Sequence, residues 1–421
     1  MSNDLHAYIA DLEVIDVHEH HIPEMLDNPD VGLLDILQQS YAGWTQNRPY
    51  PLPSESRGED PMLAASGKSS WRDIARFVED SGSSMFVRNL VESLTTLYDL
   101  SGGEITPDNW AALDAAIRRR HADPGWTGDV LDRAGVRHVI TDAYTDPLLN
   151  AREAFGPRYS SVARINALAA GWHPGSRDHN GNSAHKIAER LGCKLYSFDD
   201  YLAMLEVLVD GMPARHQLAV KNALAYDREI NFDDIDETLA RAAWGNADPT
   251  PAQRKAFGDV VVDRLCRLAG ERDIPVQMHL GSALIRGSHP MNVAGLVERH
   301  PRTRFLLMHL AYPWSADLFG LAFVYRNVWL DLTWAPLLSP SHFKRALHEA
   351  IEVLPNESRM MFGGDNWHIE ETYGTITLFR RLIGEVLDEK VQSGYFPAEA
   401  AKRVARKILN ENASAFFKIE S

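Results

Sequence analysis

Eight short apolar runs, spaced by stretches of helical periodicity, constrain this 421-residue chain more than any other feature. They fall at 12–17, 136–141, 161–166, 217–222, 274–279, 304–309, 327–333 and 359–364, and are rich in Val, Ile, Leu and Met. A strand packed on one face alternates apolar and polar residues. Near-continuous apolar runs suit strands covered on both faces, as in a parallel sheet. Parallel neighbours need crossovers, and the intervening sequence supplies them. Residues 259–271 carry apolar side chains at helical spacing, 292–299 reads as a short helix capped by Asn292, and 375–390 and 397–409 read as C-terminal helices. About eight such alternations favour a closed (β/α)8 TIM barrel over an open doubly wound sheet, in one α/β domain covering 1–421.

Two intervals exceed a simple crossover. Residues 22–134 hold a Pro-rich stretch at 48–53 and then helices around 71–80, 85–100 and 108–120. This is a helical insertion after the first strand. A loop there lies at the C-terminal mouth of a barrel, so the insertion is expected to cap the active site. A separate helical domain with no part in the site is the alternative. The second interval, 171–215, carries a polar loop at 175–182 with helices behind it.

Composition removes several function classes. Lys plus Arg number 43 against 58 Asp plus Glu, a formal net charge of −15. The densest basic cluster, Arg118-Arg119-Arg120-His121, ends an expected helix, where cations favour the dipole. Nucleic acid is therefore not an expected partner. Cys193 and Cys266 have neither metal-site nor redox spacing, which suits a reducing compartment. Met1 to His6 is polar, without the apolar core of a secretory signal, and no run approaches the ~20 residues that span a bilayer. The expectation is a cytoplasmic protein without membrane contact.

The first apolar run leads into Asp16-Val17-His18-Glu19-His20-His21. Strand side chains alternate, so His18 and His20 share a face and Glu19 takes the other. At the inward C-terminal end of a barrel strand, two such imidazoles can take one metal ion. An isolated pair of this kind also arises by chance on solvated edges. Three later runs, however, also end in metal-capable residues: His279, His309 and Asp365. A single histidine after an apolar run is more often structural; this many at successive strand ends points to a metal site. Imidazole and carboxylate donors suit Zn²⁺, with Mn²⁺, Fe²⁺ or Ni²⁺ open.

In this order, His-x-His, two single histidines and an Asp resemble the amidohydrolase superfamily. The nearer likeness is to its amidohydrolase-related branch, which includes uronate-isomerase-like proteins and a domain fused to some glutamine-synthetase-like proteins. It rests on 15–20 (IDVHEH), 276–281 (VQMHLG), 305–313 (FLLMHLAYP), 328–336 (VWLDLTWAP), 362–365 (FGGD) and 408–416 (ILNENASAF). The resemblance implies His18, His20, His279 and Asp365 as ligands of one divalent ion. Asp365 would double as general base, and His309 would polarise the substrate or orient water. Lys221 stands where binuclear members carry a carboxylated lysine between two metals; 220–226 (VKNALAY) looks more like the one-metal members. An ordinary charge balancing an acidic site is the plainer reading of Lys221.

Position alone nominates Tyr226, Arg228, Arg286, Trp334 and Trp367 for substrate contact, since all fall after strands. Arg matches a carboxylate in two-point fashion, although each of these residues is equally explained by packing or surface roles. The chain is thus expected to be a metal-dependent hydrolase of an amide, lactone or related acyl bond in a small, polar, anionic compound. A sugar-acid isomerase or decarboxylase on the same site is the second reading. A barrel that binds without catalysing is the third. A homo-oligomer is expected from the resemblance only.

Overall fold

The computed structural model describes residues 2–26, 28–43 and 70–420. Strands β1 (Val14–Glu19), β2 (Val136–Thr141), β3 (Tyr159–Arg164), β4 (Gln217–Asn222), β5 (Val276–Met278), β6 (Phe305–Leu307), β7 (Val328–Asp331) and β8 (Met360–Met361) follow the eight runs. They join one sheet in the order β1 to β8. From β3 onward each pairing is parallel, with Val220 opposite Val276, Val276 opposite Phe305 and Phe305 opposite Val328. Just past β8, the Val17 amide donates to the Phe362 carbonyl at 3.1 Å, returning the chain to the first strand. The fold is a (β/α)8 TIM barrel with a helical insertion after β1.

The strands match the apolar runs because burial on both faces leaves no polar alternation: every residue of β1 and of β3 is buried. β5, β6 and β8 are shorter than the runs that announced them. Their last residues leave the ladder to carry side chains at the strand ends, and His309, Leu310, Ala311 and Asp365 all adopt positive φ. A further difference lies at 292. Asn292 does not cap a helix there, because Pro290 sets a helical φ earlier. A 3₁₀ turn at Pro290–Val293 is capped by the His289 ring, and the α-helix Ala294–Arg299 follows.

The inserted segment has its own apolar centre. Helices Leu33–Gln38, Trp71–Val78, Met85–Leu97 and Trp110–His121 bury Leu34, Ile36, Ile74, Phe77, Leu90, Leu94 and Ile117 together. The Pro-rich stretch at 48–53 lies outside the described residues. Two compact units emerge from the packing: 1–139 with 333–349 and 362–411, and 140–332 with 350–361 and 412–421. The site-forming residues are taken unit by unit below. No helix among the described residues is long and apolar enough to cross a membrane.

Candidate metal centre and its surroundings

The first unit brings three of the expected ligands together. His18 and His20 project from the same face of β1, His18 fully buried and His20 half-buried. Their Nε2 atoms approach one oxygen, Asp365 Oδ1, at 3.5 and 3.0 Å. Ligand bonds of about 2.0–2.1 Å give donor–donor edges of about 2.9 Å in octahedral and about 3.4 Å in tetrahedral geometry. The observed spacing fits two imidazoles and a carboxylate around one ion.

The backbone explains why Asp365 reaches this place. The Gly364 and Asp365 amides both donate to the His18 carbonyl, at 3.1 and 2.8 Å, and the His20 amide donates to the Asn366 carbonyl at 2.8 Å. A Cβ at Gly363 would collide with the Thr333 hydroxyl and stand 3.1 Å from the His18 amide; one at Gly364 would collide with the Glu19 carboxylate. Two glycines let the chain pass this close. Asp365 then turns with φ 70°, a left-handed conformation that Asp tolerates better than most residues.

Glu19 does occupy the face of β1 opposite the histidines, but that face is buried, not solvated. Its carboxylate accepts from the Asn366 amide, from Asn366 Nδ2 at 3.1 Å and from Thr372 Oγ1 at 3.0 Å. Asp16 Oδ1 accepts from the His18 and Gly364 amides at 3.1 and 3.0 Å. Burial pushes Asp16 up to about 7 and Glu19 well above the usual carboxylate range, and the two hydrogen-bond to each other. They act as a clamp holding β1 to the loop that carries Asp365. His21 lies outside the Asp365 cluster, bonded through Nε2 to Thr372 Oγ1 at 2.9 Å, and burial lowers it to about 3.

Aromatic side chains brace this cluster. Trp367 stacks on the His20 ring at 5.2 Å, Tyr41 meets Trp367 at 4.5 Å and Trp334 at 4.9 Å, and Phe86 adds to Tyr41 at 5.4 Å. Tyr41 and Phe86 come from the inserted segment. Nearby, the fully buried Glu370 accepts from Tyr98 Oη at 2.7 Å and Trp126 Nε1 at 3.2 Å and pairs with His121 at 2.8 Å. Burial opposes its charge, yet His121 and these donors hold it down at about 2.

The second unit holds the remaining nominated residues. His279 Nδ1 and His309 Nε2 are hydrogen-bonded at 2.8 Å, and His279 Nε2 lies 3.4 Å from the Ser282 carbonyl. Lys221 is fully buried near the end of β4, with Nζ 2.6 Å from Met308 Sδ. Tyr226, half-buried, packs on the His279 ring at 4.5 Å. Arg228 donates to the buried Asp259 at 2.6 Å, while Arg286 is exposed in a 3₁₀ turn.

Two polar clusters in this unit escaped the reading of the sequence. Arg164, the last residue of β3, is buried and paired with Asp142 at 2.5 Å. Burial disfavours its charge, but Asp142 and Asp178 outweigh that and keep it a cation. His179, in the loop at 175–182, has Nδ1 on Asp227 Oδ2 at 2.9 Å, and Asn166 Nδ2 donates to the same oxygen at 2.6 Å. Burial raises Asp227, but His179 and its other donors more than reverse this, so it is a carboxylate. The signal was a charged residue inside an apolar run and a histidine in an otherwise polar loop; neither had a visible partner in sequence.

Residues 234–419 match the sequence model of the amidohydrolase family. That match covers the C-terminal part of the chain. Protein fluG of Emericella nidulans is 29% identical over 279 residues, 61% of this chain and 32% of that protein; the chain thus spans about a third of that relative's length. Among solved structures, glucuronate isomerase from Caulobacter crescentus superposes with a TM-score of 0.77 at 16% identity, covering 100% of this chain and 94% of that one. A candidate metal-dependent hydrolase from Lactobacillus casei gives 0.68 at 13% identity, covering 98% and 97%. At such identities these likenesses speak for the fold.

Proposed function

We propose that this protein is an amidohydrolase and a metal-dependent hydrolase acting on an amide, lactone or related acyl bond of a small, polar, anionic compound. The observation that carries the reading is the convergence of His18 and His20 Nε2 on Asp365 Oδ1. These three residues would hold one divalent ion, Zn²⁺ being the first candidate by donor chemistry. A divalent ion in such a site polarises a carbonyl and makes water a better nucleophile near neutral pH. Asp365 serves as general base, taking the proton of the attacking water and passing it to the leaving atom.

His279 would be the further ligand, and His309, hydrogen-bonded to it, would orient the carbonyl or water. Lys221 stays unmodified in a one-metal centre. Of the substrate contacts, Tyr226, Arg286 and the edge of Trp367 are retained. Arg228 serves Asp259, and Trp334 serves the aromatic packing. A small-molecule substrate, a cytoplasmic location and a homo-oligomer complete the proposal.

Metal analysis of protein purified without added metal is expected to give about one divalent ion per chain, and Asp365→Asn to lose turnover while keeping the fold. Metal-free protein that no divalent ion reconstitutes would sink the reading. Isomerisation of a sugar acid is the second reading, supported by the fold likeness to glucuronate isomerase over the whole chain. Incubation with D-glucuronate separates the two: a ketose product seen by NMR favours isomerisation. Uptake of ¹⁸O from water into the carboxylate released from N-acyl amino acids or lactones favours hydrolysis.

A further inference from the structure

We propose that His179, with Arg164 beside it, reads a hydroxyl group of the substrate and thereby selects hydroxylated acids over plain ones. The inference rests on the small, polar, anionic substrate proposed above. His179 sits in the polar loop at 175–182, whose shape is fixed locally. Asp178 Oδ1 accepts from the Asn180 and Asn182 amides at 3.0 and 2.8 Å, and Asn182 Nδ2 donates to the Tyr144 carbonyl at 2.7 Å. The His179 amide donates to Asp227 Oδ1 at 2.9 Å, so both backbone and ring are tied to one carboxylate. Asn166 holds that carboxylate, and its own Oδ1 accepts from the Ala223 amide at 3.0 Å.

The chemistry of the pair follows from this anchoring. An ionised carboxylate can only accept, so the proton of a neutral imidazole sits on Nδ1 and Nε2 is an acceptor. Arg164 Nη2 stands 3.5 Å from that Nε2, a long and weak contact. Arg164 Nε is buried, so the guanidinium faces the ring through Nη2. An acceptor and a donor therefore lie side by side, joined only by this long contact, at a ring whose side chain keeps 20% of its surface exposed.

A hydroxyl matches such a pair, giving its proton to Nε2 and taking one from the guanidinium. A second carboxylate matches less well, because Asp142 already compensates Arg164 at 2.5 Å. Tyr226 packs between the His179 and His279 rings, at 5.4 and 4.5 Å, and so joins this corner to the strand-end histidines of the same unit.

Calorimetric titration with D-glucarate, which carries four hydroxyls, and adipate, its unhydroxylated counterpart of equal length, tests the assignment. The wild-type protein is expected to prefer D-glucarate by about tenfold or more. His179→Phe should bring the two affinities within about threefold of each other, with metal content unchanged. Asp227→Asn, which frees the ring to hold its proton on either nitrogen, should fall between. A preference that survives both substitutions overturns the role of His179 while leaving the substrate class intact. Failure of the wild-type protein to bind either acid removes the substrate class itself and the assignment with it.

Discussion

Asp365 combines a carboxylate shared by His18 and His20 with a backbone conformation that most residues avoid, and its neighbours hold it there. Gly364 is the sharpest test, because a methyl group would meet the Glu19 carboxylate. Gly364→Ala is expected to cost about 1–3 kcal/mol in urea denaturation and to lower metal content, since the Glu19 clamp and Asp365 must shift together. His368 offers a second test. It is fully buried, its ring nitrogens have no hydrogen-bond partner among the described residues, and burial lowers it from 6.5 to about 4. Below pH 6.5 the unfolded chain takes up a proton that the folded chain refuses. The stability is therefore intact above pH 6.5 and drains away between 6.5 and about 4, by about 3 kcal/mol at most. His368→Leu should flatten that part of the denaturation free energy against pH; an unchanged slope would contradict the buried neutral ring.

At the scale of elements, the inserted segment reaches the His18–His20–Asp365 cluster through Tyr41, which packs on Trp367 beside His20, with Phe86 packed on Tyr41. Tyr41→Ala is expected to weaken metal affinity by about three- to tenfold, measured by chelator competition, whereas Tyr41→Phe should not, because the ring and not the hydroxyl makes the contact. Glu370 ties the Ile369–Gln392 helix to the inserted helices through Tyr98, His121 and Trp126. Glu370→Ala should cost about 3–5 kcal/mol, since it strands His121 in the interior. These couplings were not legible in the sequence. The strands were, because burial on both faces writes itself as apolar runs, and β2 and β4 begin and end where those runs do. His18, His20 and Asp365 were legible because strand ends locate their side chains. Arg164, His179 and Glu370 were not. Each is defined by a partner far away in sequence, Asp142, Asp227 and His121, and no local pattern announces such a pair.

For the whole molecule, the order in which parts of the chain become available matters as much as their final places. The first strand bonds to Phe362, Gly364, Asp365 and Asn366, and the inserted helices bond to Glu370, so the opening third of the protein is completed by residues near its end. A version truncated at residue 360 is expected to leave its first 139 residues open to limited proteolysis, with no protected fragment accumulating. A stable N-terminal fragment would contradict this. The consequence reaches into synthesis. While ribosomes are still extending the middle of the barrel, Tyr41, Phe86 and Trp126 have no Trp334, Trp367 or Glu370 to meet, and this apolar surface waits in the open for more than two hundred residues. Until Glu370 emerges, Tyr98, Trp126 and His121 also lack their buried partner, so the nascent chain is expected to be most open to aggregation before its final helices are made.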